Sequence, residues 1–130
     1  MKQGFAILSA VVLIAPSLTS SALAQIPDSF GAIATTPDAS MWGYAYDHPS
    51  RAEAERQALE ECGESDCQVK LWFKNACGAV AKDNNGNVGW AWGETRTEAE
   101  AEAVSSCGTG ACQIETWVCT TRYDPTDSQK

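Results

Sequence analysis

The sequence predicts an α+β fold: duplicated ββαβ units fused into one disulfide-stapled domain with pseudo-twofold symmetry. Three observations lead there. First, the chain repeats itself. Gly31 to Phe73 reads GAIA, a turn, GYAY, an Ala/Glu-rich run, Cys62-Gly63, Cys67-Gln68-Val69 and Trp72. Gly78 to Val118 reads GAVA, a turn, GWAW, a second Ala/Glu-rich run, Cys107-Gly108, Cys112-Gln113-Ile114 and Trp117. Self-similarity of this kind marks a duplicated supersecondary unit. Second, each copy passes from strict alternation to helical spacing and back, which is the order strand, helix, strand. Third, all six cysteines follow an export-type N-terminus, the usage of a small domain cross-linked in an oxidising compartment.

Each copy opens with a short apolar strand, Gly31-Ala32-Ile33-Ala34 or Gly78-Ala79-Val80-Ala81. A turn follows. In the second copy it is Asp83-Asn84-Asn85-Gly86-Asn87, and Asn-Gly is the strongest short hairpin signal. In the first it is Thr36-Pro37-Asp38-Ala39-Ser40, also made of turn formers. The next strand alternates strictly: Trp42, Tyr44 and Tyr46 with Gly43 and Ala45, then Val88, Trp90 and Trp92 with Gly89 and Ala91.

Helices start at Ser50-x-x-Glu53 and Thr95-x-x-Glu98, both capping boxes, with Pro49 marking the first boundary. Ala54, Ala58, Leu59 and Cys62 share one helix face, and Ala99, Ala103, Val104 and Cys107 repeat it. These narrow faces of mostly small residues let each helix lie close to a sheet. Gly63 and Gly108 end the helices. The third strands are Gln68–Lys74 and Gln113–Cys119, in which Trp72 and Trp117 share a side with charged neighbours and are expected to be partly exposed.

Residues 1–24 read as a secretory signal peptide. Lys2 is its positive start, Phe5 to Ala15 its apolar run and Ala22-Leu23-Ala24 its cleavage site. The apolar run is too short for a good membrane span, so no membrane attachment is expected after cleavage. The expected organisation beyond it is a short extension over residues 25–29, the duplicated domain over 30–121 with halves 30–77 and 78–121, and a disordered tail over 122–130. A lone unit is too small to hold a core well, which is why one fused domain is expected, with its units side by side or exchanging strands. Cleavage leaves 8 Lys and Arg against 17 Asp and Glu, a net charge of −9. That charge disfavours nucleic acid and anionic lipid, and it suits a basic partner or simple solubility.

Six cysteines allow about 15 pairings, and the repeat narrows them. Cys62 and Cys67 stand five apart, as do Cys107 and Cys112, each pair between a helix and a strand. We expect Cys62–Cys67 and Cys107–Cys112 as equivalent staples, with Cys77–Cys119 joining the halves. A zinc site is disfavoured, because the cysteines lack paired C-x-x-C spacing and there is a single histidine.

The string of GAIA, WGYAY, SRAEAERQALEEC, DCQV, ACGAVA, GWAWG, EAEAEAV, CQI and WVC resembles the bacterial secreted proteins called domain of unknown function 4189, over about Phe30 to Thr121. The resemblance implies export, the duplicated fold and structural cysteines. It implies no chemistry for any residue.

Chemistry is hard to place on these residues. His48, the lone histidine, sits in a turn with no nucleophile motif near it. Glu60, Glu61, Glu94 and Glu98 lie in acidic runs that read as solvated helix faces rather than a glycosidase pair. Asp83 to Asn87 lacks the alternating ligands of a calcium loop. No catalytic residue, metal or cofactor is assigned. The aromatic residues Trp42, Tyr44, Tyr46, Trp72, Trp90, Trp92 and Trp117 are the candidate binding groups, although packing against the sheets and disulfides is the simpler expectation for most of them. Matched positions in a repeat are more often structural than catalytic. The expected function is therefore an exported, non-enzymatic protein that binds or inhibits a basic secreted or periplasmic protein through an acidic, Trp-containing surface. The alternative is a module that binds cell-wall glycan such as peptidoglycan on its aromatic strand face.

Overall fold

The computed structural model describes residues 27–121. The signal peptide, the first two residues of the extension and the tail lie outside the described residues. The elements run β1 (Phe30–Thr35), β2 (Trp42–His48), α1 (Arg51–Cys62), β3 (Gln68–Lys74), β4 (Cys77–Lys82), β5 (Val88–Gly93), α2 (Arg96–Cys107) and β6 (Gln113–Cys119). This is ββαβ twice. Each copy makes its own antiparallel three-stranded sheet, in the orders β2-β1-β3 and β5-β4-β6. No strand is exchanged between the copies and the sheets do not join edge to edge. They stack face to face, with β1 near β4, β2 near β6 and β3 near β5. The exchange β1/β4, β2/β5, β3/β6 leaves that set of neighbours unchanged, as pseudo-twofold symmetry requires.

The layers are α1, first sheet, second sheet, α2. Between the sheets lies a core of Ile33, Leu71 and Phe73 from one side and Val80 and Val118 from the other, closed by Ala39 and Ala76. Phe73 sits at its centre. A Cβ added at Gly31 would stand 2.3 Å from its ring and one at Gly78 2.7 Å from it, so the ring occupies the space that glycine leaves on both central strands.

Between each helix and its sheet the buried side chains are all small. Ala32, Ala34 and Ala45 meet Ala54, Ala58 and Cys62. Ala79 and Ala81 meet Ala99, Ala103 and Cys107. The approach is closest at Gly43, where a Cβ would stand 2.2 Å from the Cys62 amide nitrogen, and at Gly89, where it would stand 2.2 Å from that of Cys107. Leu59 departs from the expected buried face: it is exposed, because the buried line of α1 runs through Ala54, Ala58 and Cys62 and Leu59 lies about 100° round the helix from Ala58. Val104 packs at the margin of the second interface.

The N-cap half of each expected capping box forms; the return bond from the glutamate to the cap amide does not. Ser50 Oγ accepts from the Glu53 amide and Thr95 Oγ1 from the Glu98 amide. Glu98 turns back to accept from the Glu94 amide, one residue before the cap. Gly63 and Gly108 end the helices in left-handed conformation at φ 74° and 79°. In the β4–β5 turn the Asp83 carboxylate accepts from the side chain and amide of Asn87, the hydroxyl of Thr109 and the amide of Asn85. These bonds, the Asn87 side chain foremost, hold its pKa down at about 2. Both carboxylate oxygens are thus occupied in holding the hairpin.

All three expected disulfides are present. Two are the paired helix-to-strand staples. The third, Cys77–Cys119, does not join the halves as expected. Cys77 is the first residue of β4 and lies directly opposite Cys119 on β6, so the bond closes the second sheet on itself. At the matched place in the first sheet Phe30 lies opposite Lys74. The halves are held together by the core around Phe73.

Candidate functional site

The aromatic residues gather at the two long edges of the stacked sheets. The reason is in the strands. Gly43 and Ala45 turn to α1, so Trp42, Tyr44 and Tyr46 turn the other way. Gly89, Ala91 and Gly93 turn to α2, which places Trp90 and Trp92 likewise. In a central strand such rings would fill the space between the sheets. Strands β2 and β5 are edge strands, so their rings overhang the outer strand of the opposite sheet and meet solvent. Tyr44, Tyr46, Trp72, Trp90 and Trp92 are all exposed, Trp92 to 60%. The exposure of Trp72 is as expected; the expectation that most of the rings simply pack the fold is corrected for Tyr44, Tyr46, Trp90 and Trp92.

The first edge is formed by β2 over β6. Trp42 stacks on Tyr44 with ring centroids 5.7 Å apart and 15° between planes, and Tyr44 meets Tyr46 at 6.3 Å. The three rings make a continuous ladder. Glu115, Thr116, Val118 and Thr121 line the cleft beneath it, and Glu61 and Gln57 of α1 border its other side. Glu115 faces Lys82 at 3.7 Å.

The second edge is formed by β5 over β3. Trp90, Trp92 and Trp72 line a cleft of about 530 Å³ with Leu71 and Phe73 in its wall and Lys70 and Lys74 beside them. Lys70 Nζ lies 5.3 Å from the centre of the Trp90 ring, and Lys74 pairs with Asp28 at 3.7 Å. Two of the seven rings have a structural duty as well. Arg96 lies 3.7 Å over Trp117 and Arg51 4.6 Å over Trp72, matched cation–π contacts that tie each helix start to its third strand. Phe30 also stacks on Trp72, with ring centroids 6.4 Å apart.

The two edges are equivalent in position and opposite in charge. Five residues past Cys62 and Cys107 come Cys67 and Cys112, and three further on come Lys70 and Glu115, a direct reversal. In the sequence Glu61 reads only as part of a solvated acidic run, and Lys70, Lys74 and Glu115 only as charged neighbours of Trp72 and Trp117. Aligning the repeats charge by charge shows the reversal at once. Only the stacked sheets show that it falls beside the rings.

The other sequence candidates are not brought together. His48 ends β2 and makes no hydrogen bond to a serine among the described residues. Its neighbour Asp47, in left-handed conformation at φ 57°, accepts instead from Ser29 Oγ and the Thr121 amide. Glu60 pairs with Arg56 and Glu61 accepts from Gln57 along α1. All six cysteines are in disulfides, and no cluster of His, Cys, Asp or Glu suited to a metal occurs among the described residues. No described helix is long and apolar enough to cross a membrane.

The family model described as Domain of unknown function (DUF4189) matches residues 30–119. Protein Rv1269c of Mycobacterium tuberculosis and Protein Mb1300c of Mycobacterium bovis are each 46% identical over 66 residues, which is 51% of this chain and 52% of theirs. The alignment thus spans about half the length of these curated relatives. Among solved structures, the NMR structure of Rv1813c from Mycobacterium tuberculosis is 29% identical, with a TM-score of 0.57 over 92% of this chain and 98% of that one.

Proposed function

The chain belongs to the DUF4189 family, and from that premise we propose that it is an exported, non-enzymatic binding protein that docks a basic protein partner on its β2/β6 edge. The ladder of Trp42, Tyr44 and Tyr46 between Glu61 and Glu115 carries this reading. Exposed aromatics supply contact area at low conformational cost, and flanking carboxylates steer a cationic surface toward them. The net charge of the whole chain, −8, adds long-range attraction of the same sign. Export to the periplasm or the medium rests on the Lys2-to-Ala24 leader pattern and on the three disulfides, which suit an oxidising compartment. Matched baits test the docking edge: the oxidised wild type and Tyr44→Ala/Tyr46→Ala, offered to basic secreted enzymes of the lysozyme type. The reading expects retention by the wild type, release as salt rises from 50 to 300 mM, and loss in the double variant. Equal retention by both baits would overturn it.

Cell-wall glycan is the second reading. It is supported by Trp90 and Trp92 on the opposite edge, whose open faces suit stacking on sugar rings.

A further inference from the structure

We infer that the β5/β3 edge is a binding site for an acidic polysaccharide, its carboxylates met by Lys70 and Lys74 and its sugar faces by Trp90 and Trp92; this rests on the glycan reading and narrows it. The argument begins from charge. The chain carries a net charge of −8, and an acidic protein is a poor surface for an anionic polymer unless cations are gathered locally. They are gathered here. The described residues hold six Lys and Arg: Arg51, Arg56, Lys70, Lys74, Lys82 and Arg96. Three of them surround Trp72: Arg51 lies over its ring, and Lys70 and Lys74 flank it in the cleft. The equivalent edge, with Glu115 in place of Lys70, has the opposite sign.

The rings supply the second half of the argument. Sugars present apolar C–H faces that stack on open aromatic surfaces, and Trp92 is the most exposed large apolar side chain of the described residues. Trp90 lies beneath Lys70, so a sugar resting on that ring brings its substituents within reach of an ammonium group. The cleft's floor of Leu71 and Phe73 is nearly inaccessible, which leaves the rings and the lysines as the contact surface. Lys70 has no ion pair among the described residues, and the Lys74–Asp28 pair is long and open to solvent. Exchanging such a pair for a carboxylate of the ligand forfeits little.

The test uses the oxidised full-length mature protein and two probes of equal length, a neutral N-acetylglucosamine hexasaccharide and a hexasaccharide alternating N-acetylglucosamine with glucuronate. Tryptophan fluorescence and NMR shift mapping read the binding. The proposal expects the acidic probe to bind on the order of tenfold more tightly than the neutral one at 50 mM salt, the advantage shrinking at 300 mM. Lys70→Gln/Lys74→Gln weakens only the acidic probe, by roughly two- to fivefold per lysine. Trp92→Ala weakens both probes, and Tyr44→Ala on the opposite edge weakens neither. All four positions are partly or largely solvent-exposed, so folding is not at risk. Equal binding of the two probes overturns the acidic specificity and leaves the glycan reading standing. Binding of neither overturns both. Shifts centred on Tyr44 instead of Trp92 overturn the assignment of the site.

Discussion

Replacing Gly43 with alanine tests the claim that glycine on the helix-facing side of β2 sets the spacing between α1 and its sheet. The added methyl would stand 2.2 Å from the Cys62 amide nitrogen, 2.5 Å from the Ala58 carbonyl oxygen and 2.6 Å from the Glu61 carbonyl carbon, where ordinary contact is 3.4–4 Å. All three obstacles are backbone atoms of one helix, so no side chain can swing aside. The helix must retreat by about 1 Å to reach ordinary contact distance. That retreat is resisted at its C-terminal end, where Cys62 is bonded to Cys67 at the foot of β3. It would also loosen the interface of Ala32, Ala34, Ala45, Ala54 and Ala58, whose fully buried side chains are all too small to take up the gap. We expect a loss of about 3 kcal/mol, the upper part of the usual range for overpacking. At roughly 4–8 °C per kcal/mol for a domain of this size, the midpoint of thermal unfolding falls by about 10–25 °C. Urea unfolding followed by tryptophan fluorescence, with disulfides intact, measures it. Gly89→Ala should behave alike, since its methyl meets Cys107 and Ala103 backbone in the same way. Gly110→Ala is the control: its methyl meets nothing within 4 Å. If Gly43→Ala and Gly110→Ala unfold at the same urea concentration, the helix–sheet contact has slack and the argument fails.

Three further outcomes follow from the same structure. Phe73→Ala, at 2% exposure between Gly31 and Gly78, should cost about 3–5 kcal/mol in urea unfolding, whereas Trp92→Ala at the open edge should cost under about 1 kcal/mol; equal costs would contradict the central role given to Phe73. Replacing Cys77 and Cys119 together with alanine opens a loop of sequence separation 42 and should cost on the order of 4 kcal/mol, against about 2 kcal/mol for Cys62 with Cys67 at separation 5; the ratio of the two urea shifts is the check. Asp83 has a folded pKa of about 2 against an ordinary 3.8, so its contribution is present above pH 4 and is lost as pH falls through 2. Asp83→Asn should therefore flatten the decline of urea midpoint between pH 4 and 2, and an unchanged acid limb would refute the linkage.

How much of the protein could be read from its sequence depended on range. The repeat, the Ser50 and Thr95 N-caps, the Asn85-Gly86 hairpin, the C-terminal glycines and the two short disulfides are written in residues a few positions apart, and all of them stand in the structure. The alternation of Gly43 and Ala45 with Trp42, Tyr44 and Tyr46 also told which side of β2 a helix could approach, because only residues without bulk permit a gap that Gly43 nearly closes. For the candidate site the sequence supplied the rings and left open whether they were core or surface.

The tertiary structure decided what depends on neighbours distant in the chain. Strand order put β2 and β5 at the sheet edges, and this alone turned inward-facing rings into exposed ones. The same order placed Cys77 opposite Cys119 within one sheet, so the longest disulfide does not bind the halves. Stacking brought Lys70 beside Trp90 and Glu115 beneath the Trp42–Tyr46 ladder, from strands that no local pattern connects. The sequence by itself determined the units, since period, caps and turns act over one or two helical turns or strand repeats. Only the folded chain determined the edges, since which strand is outermost follows from how Ile33, Val80 and Phe73 bury one sheet against the other.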